Sequence, residues 1–347
     1  MFKRALFIIT CVGLTALLPL FFMKGDDMPL WLAMLTYRVG TSWLIFFMYF
    51  LLCEFVLLVF FLIIHFILPP ERRKLIRRRA YLIVTVFIVL LLIYGNVHYH
   101  NIVRVEYTVK TEKDIGERES LKIVTLADLH LGYAIGRGEL AHWIDLINAE
   151  KPDIVLFVGD IVDAGTRPLF HEKMAEEFLR IEAPLGVYGV YGNHEYYHPI
   201  GVEKFYEDAG ITLLVDQWVD AGDFYVIGRD DYTNGSRRFI PQAREYYSGL
   251  TFKEAVDPSR FAVVLDHQPR EFDGGGFADI QISGHTHGGQ VWPVSLVLAY
   301  INRLCHGRET IEGIDVFVTS GIGVWGGKFR IGTDSEYFVI NVVKQDR

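Results

Sequence analysis

The ten residues LKIVTLADLH, 121–130, run an apolar strand pattern straight into a carboxylate and an imidazole. Leu121–Ala127 is short and rich in Leu, Ile and Val, as a strand buried in a sheet must be. Asp128 and His130 follow at its end. One such ending is as consistent with a capped turn as with a metal site. The same arrangement recurs along the chain, and the recurrence decides the fold.

Asp153–Val158 runs into Gly159-Asp160-Ile161-Val162-Asp163, and Val187–Tyr191 into Gly192-Asn193-His194-Glu195. Phe261–Leu265 is followed by Asp266-His267-Gln268-Pro269, and Asp279–Ser283 by Gly284-His285-Thr286-His287-Gly288-Gly289-Gln290. Further strand patterns lie at Phe224–Gly228, Val316–Ser320 and Tyr337–Val343. Glu139–Asn148 has helical spacing through Leu140, Trp143, Ile144 and Ile147. Short strands alternating with helices predict a layered α/β domain with two sheets. Its chemistry collects on the loops at strand ends.

Oxygen ligands and imidazoles recurring at every strand end suit a pair of cations. A phosphate ester is an anion, and two cations about 3.5–4 Å apart can activate water and clamp both phosphoryl oxygens. Such a pair needs a shared carboxylate, for which Asp160 is the natural candidate. Mixed imidazole and carboxylate ligation favours Mn, Fe or Zn over Ca. The expected cofactors are therefore two divalent metal ions, Mn first, with Fe or Zn as the others.

The order D-x-H, G-D-x-x-D, G-N-H-E, H, G-H-x-H resembles the calcineurin-like metallophosphoesterase superfamily over residues 121–343. The forms GNHEYY and SGHTHGGQ, with Gly321-Ile322-Gly323, resemble its membrane-anchored bacterial YkuE-like branch. The resemblance implies a four-layer α/β/β/α sandwich. It implies that Asp128, His130 and His287 bind one metal, that Asn193, His267 and His285 bind the other, and that Asp160 bridges. It makes His194 the catalytic residue that protonates the leaving alkoxide or orients the phosphate. Asp163 then orients His194 or a ligand. Gly159, Gly192 and Gly284 are expected to let the backbone turn sharply beside the metals. Protein Ser/Thr phosphatases of the superfamily follow the second Asp with Arg-Gly. Ala164-Gly165 stands there instead, which argues against a phosphoprotein phosphatase.

The front of the chain has another character. Residues 1–100 hold 10 Lys+Arg and 4 Asp+Glu, leaving 24 and 38 for residues 101–347. The acidic rear gives no cationic surface for nucleic acid, so no nucleic-acid partner is expected. Residues 5–23, 43–68 and 80–97 are apolar runs of the length that crosses a bilayer, the second interrupted by Glu54 and His65. The first run also admits a signal-peptide reading, although no small-residue cleavage site follows it. Lys3 and Arg4 precede the first run, and six basic residues lie within 72–79. Basic loops stay in the cytoplasm. The expected protein is thus a multi-pass inner-membrane protein with its catalytic domain on the outer, periplasmic face. Residues 1–100 form the anchor, 101–120 a linker and 121–347 the metallophosphoesterase domain.

Three functions are open at this point. The first is a phosphomonoesterase or phosphodiesterase at the membrane surface, with lipid among its candidate substrates. The second is a hydrolase of a lipid-linked pyrophosphate, similar to the UDP-diacylglucosamine pyrophosphatases. The third is a non-catalytic membrane scaffold. Residues 291–304 (VWPVSLVLAYINRL) read either as a buried helix or as a lip meeting lipid. Arg330 reads as a surface residue. Glu195, Tyr196 and Tyr197 read as pocket lining or as packing. With Cys11 and Cys53 in the spans and Cys305 alone beyond them, no disulfide is expected in the outer domain.

Overall fold

The computed structural model describes residues 2–222, 224–234, 257–270, 278–311 and 313–345. They form two units. Met1–His100 and Gly326–Ile331 make one; Asn101–Trp325 and Gly332–Arg347 make the other.

The first unit is built on α1 (Phe2–Lys24), α2 (Leu30–Ile67) and α3 (Pro70–Tyr99). Each is long and apolar enough to cross a membrane. At 1.5 Å per residue α2 measures about 57 Å, well beyond a bilayer core of about 30 Å. It therefore starts earlier than the apolar run at 43–68. Its early part carries Arg38 and other polar residues, but buries Ala33, Thr36, Tyr37, Gly40 and Thr41, a single stripe at helical spacing. A Cβ at Gly40 would lie 3.0 Å from the backbone nitrogen of Leu18, so glycine lets α1 and α2 approach closely. Pro69 and Pro70 separate α2 from α3, and a proline at the first helical position is compatible with the unpaired amides there.

Residues 326–331 join this unit near the C-terminal end of α3. The Arg330 amide donates to the Gly95 carbonyl at 2.9 Å, and Asn96 Nδ2 donates to the Lys328 carbonyl at 2.9 Å. Arg330 is fully buried. The expectation of a surface arginine is thus overturned: the segment that carries it belongs to the helical unit rather than to an exposed loop.

In the second unit β1 (Ile102–Thr111), β2 (Ser120–Leu126), β3 (Ile154–Val158), β4 (Val187–Val190) and β5 (Thr212–Leu213) share a sheet with the last strand, β12 (Ser335–Lys344). Its order is β1-β12-β2-β3-β4-β5. The second sheet holds β6 (Gln217–Asp220), β7 (Tyr225–Gly228), β8 (Ala262–Leu265), β9 (Ile280–Ser283), β10 (Gly307–Ile311) and β11 (Ile314–Val318), ordered β10-β11-β9-β8-β7-β6. The sheets face each other across one core. Ile123, Leu156, Val190 and Ile340 come from the first sheet; Val226, Val263, Ile282 and Phe317 come from the second. Between β2 and β3, α4 (Arg137–Glu150) buries Leu140, Trp143, Ile144 and Ile147. The short helices α5 (Arg167–His171), α6 (Ala175–Phe178), α7 (Asn193–Tyr197) and α8 (Val202–Asp208) follow β3 and β4. Much of the chain between β7 and β8, where a fourth layer would be sought, lies outside the described residues.

Residues 101–120 are not a linker. Ile102–Thr111 pairs in parallel with Ser335–Lys344 along its whole length. Val103, Val105, Tyr107 and Val109 alternate with exposed Arg104, Glu106, Thr108 and Lys110, the period of a one-sided edge strand. The charges on the outer face hid the strand in the sequence.

β2, β3 and β4 run parallel, as do β7, β8 and β9. The loops leaving β2, β3, β4, β8 and β9 carry all seven candidate ligands, with Asp163 and His194.

Candidate metal centre

Seven candidate ligands stand on those five loops. The structure brings Asp128, His130 and His287 into one group whose donor atoms lie within 4.8 Å of one another, and Asp160, His267 and His285 into a second. Asp160 Oδ2 lies 3.2 Å from His267 Nε2 and 3.7 Å from His130 Nε2, so one carboxylate oxygen faces both groups. Asn193 Oδ1 lies 3.2 Å from His267 Nε2 and 2.7 Å from His285 Nδ1. His130 Nε2 and His287 Nε2 face each other at 3.0 Å, with Asp128 Oδ1 3.9 Å and 3.6 Å away from them. The ligand atoms expected for one metal thus converge, and so do those expected for the other.

Backbone conformation marks the same residues. Asp128, His130, Asp160, His285 and His287 all have φ between 47° and 70°. Non-glycine residues enter this region at a cost of order 1 kcal/mol or more each, and they collect at functional sites. Dense packing around the loops holds them there. A Cβ at Gly192 would lie 2.2 Å from Asp160 Oδ1, and one at Gly284 2.6 Å from Asp128 Oδ2. Gly159, with φ 78°, does turn sharply as expected, and its Cβ would lie 2.5 Å from His267 Nδ1. Gly192 has φ −105°, which any residue adopts, and Gly284 is not among the positive-φ glycines. At those two positions glycine is required for space rather than for a turn.

The hydrogen bonds test whether cations fit. His267 Nδ1 lies 2.8 Å from the Val158 carbonyl, which only accepts, so Nδ1 carries the proton and donates. Nε2 then turns its lone pair toward Asp160 Oδ2 and Asn193 Oδ1. Three electron-rich atoms face inward, stable only with a positive charge among them. Burial lowers the basicity of His267, but the Asp160 carboxylate outweighs it and lifts the imidazole well above its ordinary value. A divalent cation would take the place of that proton. His285 stays neutral, held down to about 3 by burial and then by the charge on His267. Neutral imidazoles, an amide oxygen and carboxylates together form a donor set that fits divalent cations.

His194 and Asp163 are also here. His194 Nδ1 lies 3.1 Å from Asp163 Oδ1, and His130 Nδ1 lies 3.6 Å from the same oxygen. One buried carboxylate thereby faces both rings. Burial raises Asp163, but the facing rings of His130 and His194 more than offset it, and the carboxyl sits below its usual range. Burial works against the His194 charge too, yet Asp160 and Asp163 push it up to about 9. A His194 nitrogen also falls within 4.8 Å of donor atoms on His130 and Asp160, so distance alone does not separate it from the ligands. Solvent reaches the centre beside His194 and His287, whose side chains are 15% and 11% exposed, while those of Asp128 and His267 are fully covered.

Glu195 has a larger part than the sequence suggested. Its buried carboxylate accepts the amides of Asp160 at 3.1 Å, Val162 at 2.9 Å and Gly192 at 2.8 Å. It ties the loop after β3 to the loop after β4. The signal was present in its position: an acid three residues after Gly192, in the first turn of α7, is where a side chain reaches back to a helix-start amide. Glu336 does similar work at a distance, accepting from the Ser320 amide at 2.8 Å beside Gly321, whose absent Cβ would lie 2.7 Å from that of Asp128. Tyr197 and His198 are exposed, as is His171.

Comparison with known proteins agrees with this architecture. The family model for calcineurin-like phosphoesterases matches residues 121–289. A metallophosphoesterase of Aquifex aeolicus is 30% identical over 247 residues, covering 69% of this chain and 92% of the relative. The chain belongs to the calcineurin-like phosphoesterase family. Another member, metallophosphoesterase Cj0846 of Campylobacter jejuni, is 29% identical over 259 residues, 72% of this chain. The chain spans 66% of that relative's length. YkuE of Bacillus subtilis is 27% identical over 251 residues, covering 67% of this phosphoesterase-family chain and 83% of YkuE.

Proposed function

We propose that this chain is a membrane-anchored phosphoesterase that uses two divalent cations, Mn first among them, to hydrolyse phosphate mono- or diesters. Asp128, His130 and His287 would hold one cation; Asn193, His267 and His285 would hold the other; Asp160 would touch both. The observation that carries this reading is the position of Asp160 Oδ2 between His267 Nε2 and His130 Nε2. When bound, the cations would neutralise phosphoryl charge and lower the pKa of a water to make the nucleophile.

The chain's own groups would do the rest. Asp163 holds His194 through Nδ1, which leaves Nε2 as the nitrogen able to pass a proton to the departing alkoxide. The strained loops fix the donors before substrate arrives, so little reorganisation remains at the moment of reaction. A complete donor set argues against a scaffold that merely keeps the fold. The basic cluster at 72–79 would remain in the cytoplasm, with the catalytic domain on the periplasmic side.

The test is hydrolysis of p-nitrophenyl phosphate and bis(p-nitrophenyl) phosphate by the purified full chain. Activity should require added Mn, vanish on chelation and return on re-addition. Equal turnover with and without chelator would overturn the two-cation reading.

A further inference from the structure

α9 (Val294–Ile301, VSLVLAYI) begins four residues after Gln290, the last residue of the loop that bears His285 and His287. None of its residues is buried. Leu296 is 61% exposed, Val297 59%, Tyr300 90% and Ile301 65%, and Trp292 just before it is 52% exposed. A cytosolic surface helix turns a polar face to water; this one has only Ser295 and the Tyr300 hydroxyl to offer. So much contiguous apolar surface marks a contact with a partner or a membrane.

What lies near it follows from chain connectivity. Gln290 Nε2 donates to the Trp325 carbonyl at 3.0 Å, the Trp325 amide donates to Gln290 Oε1 at 3.2 Å, and Thr333 Oγ1 donates to the Gln290 carbonyl at 2.9 Å. Trp292 packs against Gly332, where a Cβ would meet its own at 3.6 Å. Trp325 and Gly332 are the residues that flank 326–331, the segment that belongs to the helical unit. The root of α9 is therefore bonded, within its own unit, to the residues on either side of that segment.

Within the helical unit the segment has a definite height. Arg330 bonds to Gly95 near the C-terminal end of α3, and a Cβ at Gly326 would meet Thr41 at 3.0 Å. Counting about 20 residues for a bilayer core back from Ile67 brings α2 to near residue 47, so Thr41 falls just past the core. Gly95 falls at the end of the 80–97 run. Both mark the boundary of the apolar layer at the end remote from the basic cluster, the depth of lipid headgroups.

We infer that α9 is a membrane-docking helix that seats in the headgroup region and brings the metal-bearing loop to phosphate esters carried by lipid headgroups. The occupant of its apolar face is the bilayer in which the same chain is anchored. The substrate half of the inference rests on the phosphoesterase reading; the docking half does not.

The test uses the full chain in phospholipid nanodiscs, with Cys11, Cys53 and Cys305 replaced by Ser. A nitroxide is attached through Tyr300→Cys or, as a control on exposed β10, through Glu309→Cys. Position 300 should be reached by oxygen and shielded from a water-soluble nickel chelate, and position 309 should show the opposite. Equal nickel access at both would overturn docking. Dipolar broadening between labels at 300 would overturn it in favour of a second copy of the chain. The activity arm compares p-nitrophenyl phosphate with phosphatidic acid and phosphatidylglycerol held in the nanodisc. Docking raises the local concentration of lipid substrate, so Leu296→Ser/Val297→Ser/Tyr300→Ser should lower lipid turnover about tenfold or more relative to the aryl phosphate. An equal fall on both substrates, or wild-type protein that cleaves only the aryl phosphate, would overturn the substrate half. A lipid-shielded label at 300 in a protein without activity on either substrate would uphold docking and sink the phosphoesterase reading instead.

Discussion

The carboxylate of Glu195 accepts the backbone amide of Asp160 at 3.1 Å. The candidate bridge therefore depends on a residue outside the candidate ligand groups. Through Val162 and Gly192 the same carboxylate also holds the rest of both loops. The amides point inward at it, so Asp160 can sustain φ 52° while its side chain faces both donor groups.

Glu195→Gln keeps the shape but sets an NH2 group against at least one of those amides. A hydrogen bond to a charged group contributes about 1.5–3 kcal/mol, and a variant that loses one should fall in stability by about that amount. Thermal unfolding followed beside elemental analysis should show a lower Tm and reduced metal content in Glu195→Gln, with a larger drop in Glu195→Ala. Wild-type metal stoichiometry in both variants would show that the clamp is dispensable.

Two glycines separate space from backbone freedom. Gly192→Ala introduces a Cβ 2.2 Å from Asp160 Oδ1 at an ordinary φ, so the cost is displacement of the carboxylate. A shift of about 1 Å in a catalytic constellation can cost about 100-fold in rate, and kcat/KM should fall on that order. Gly138→Ala, in α4 with nothing within 4 Å of the new Cβ, should instead stabilise by about 0.5–1 kcal/mol. Matched kinetics and melting curves on the two variants check both signs.

Glu336 links the site to pH. Burial raises its pKa, but the bond from His306 at 2.9 Å and the Ser320 amide bring it below the ordinary value. A carboxyl depressed in the folded state contributes stability above its unfolded pKa, near 4.3, and loses it as pH falls through the folded value. Melting temperatures from pH 7 down to 3 should therefore fall less steeply for Glu336→Gln than for the native chain, after starting lower at neutral pH. Parallel curves would mean that Glu336 does not titrate with folding.

The sequence made the interior of both sheets readable and left their edges obscure. The eight strand patterns recognised correspond to β2, β3, β4, β7, β8, β9, β11 and β12, every one of them flanked by a strand on each side. Among the described residues, the four strands it missed, β1, β5, β6 and β10, are the four sheet edges. Interior strands such as IVLFV are wholly buried and show as unbroken apolar runs. Edge strands such as GRETI carry charge on their open side, which protects the edge but erases the pattern. The site divides similarly. Ligand types and their strand-end positions are local and could be read directly. The grip of Glu195 on three amides and the burial of Arg330 depend on distant backbone and could not.

Topology gives the fourth prediction. With the six basic residues of 72–79 in the cytoplasm, the third span should carry the chain across and residues 101–347 should emerge outside. A C-terminal reporter that works only in the cytoplasm should stay silent, while alkaline phosphatase fused at the same point should be active. The reverse pair of signals would put the metal centre on the cytoplasmic face and revive the lipid-precursor pyrophosphate reading.

The last prediction separates proton transfer from coordination. His194 and His287 border the solvent-facing side of the centre, and both have a ring nitrogen near other donor atoms. His194 Nδ1 is taken up by Asp163, whereas His287 Nε2 points at His130 Nε2 and Asp128. General acid catalysis contributes about 10²–10⁴-fold. His194→Ala should keep two metals per chain while kcat falls on that order, and the loss should shrink for a nitrophenolate leaving group, which departs without a proton. His287→Ala should lose metal first and recover part of its activity in excess Mn. Asp160→Ala, which removes the oxygen shared by both groups, should lose both metals and resist rescue. Should His194→Ala empty the centre as His287→Ala does, His194 is a ligand. Should its loss be the same for good and poor leaving groups, His194 positions the phosphoryl group rather than protonating the alkoxide.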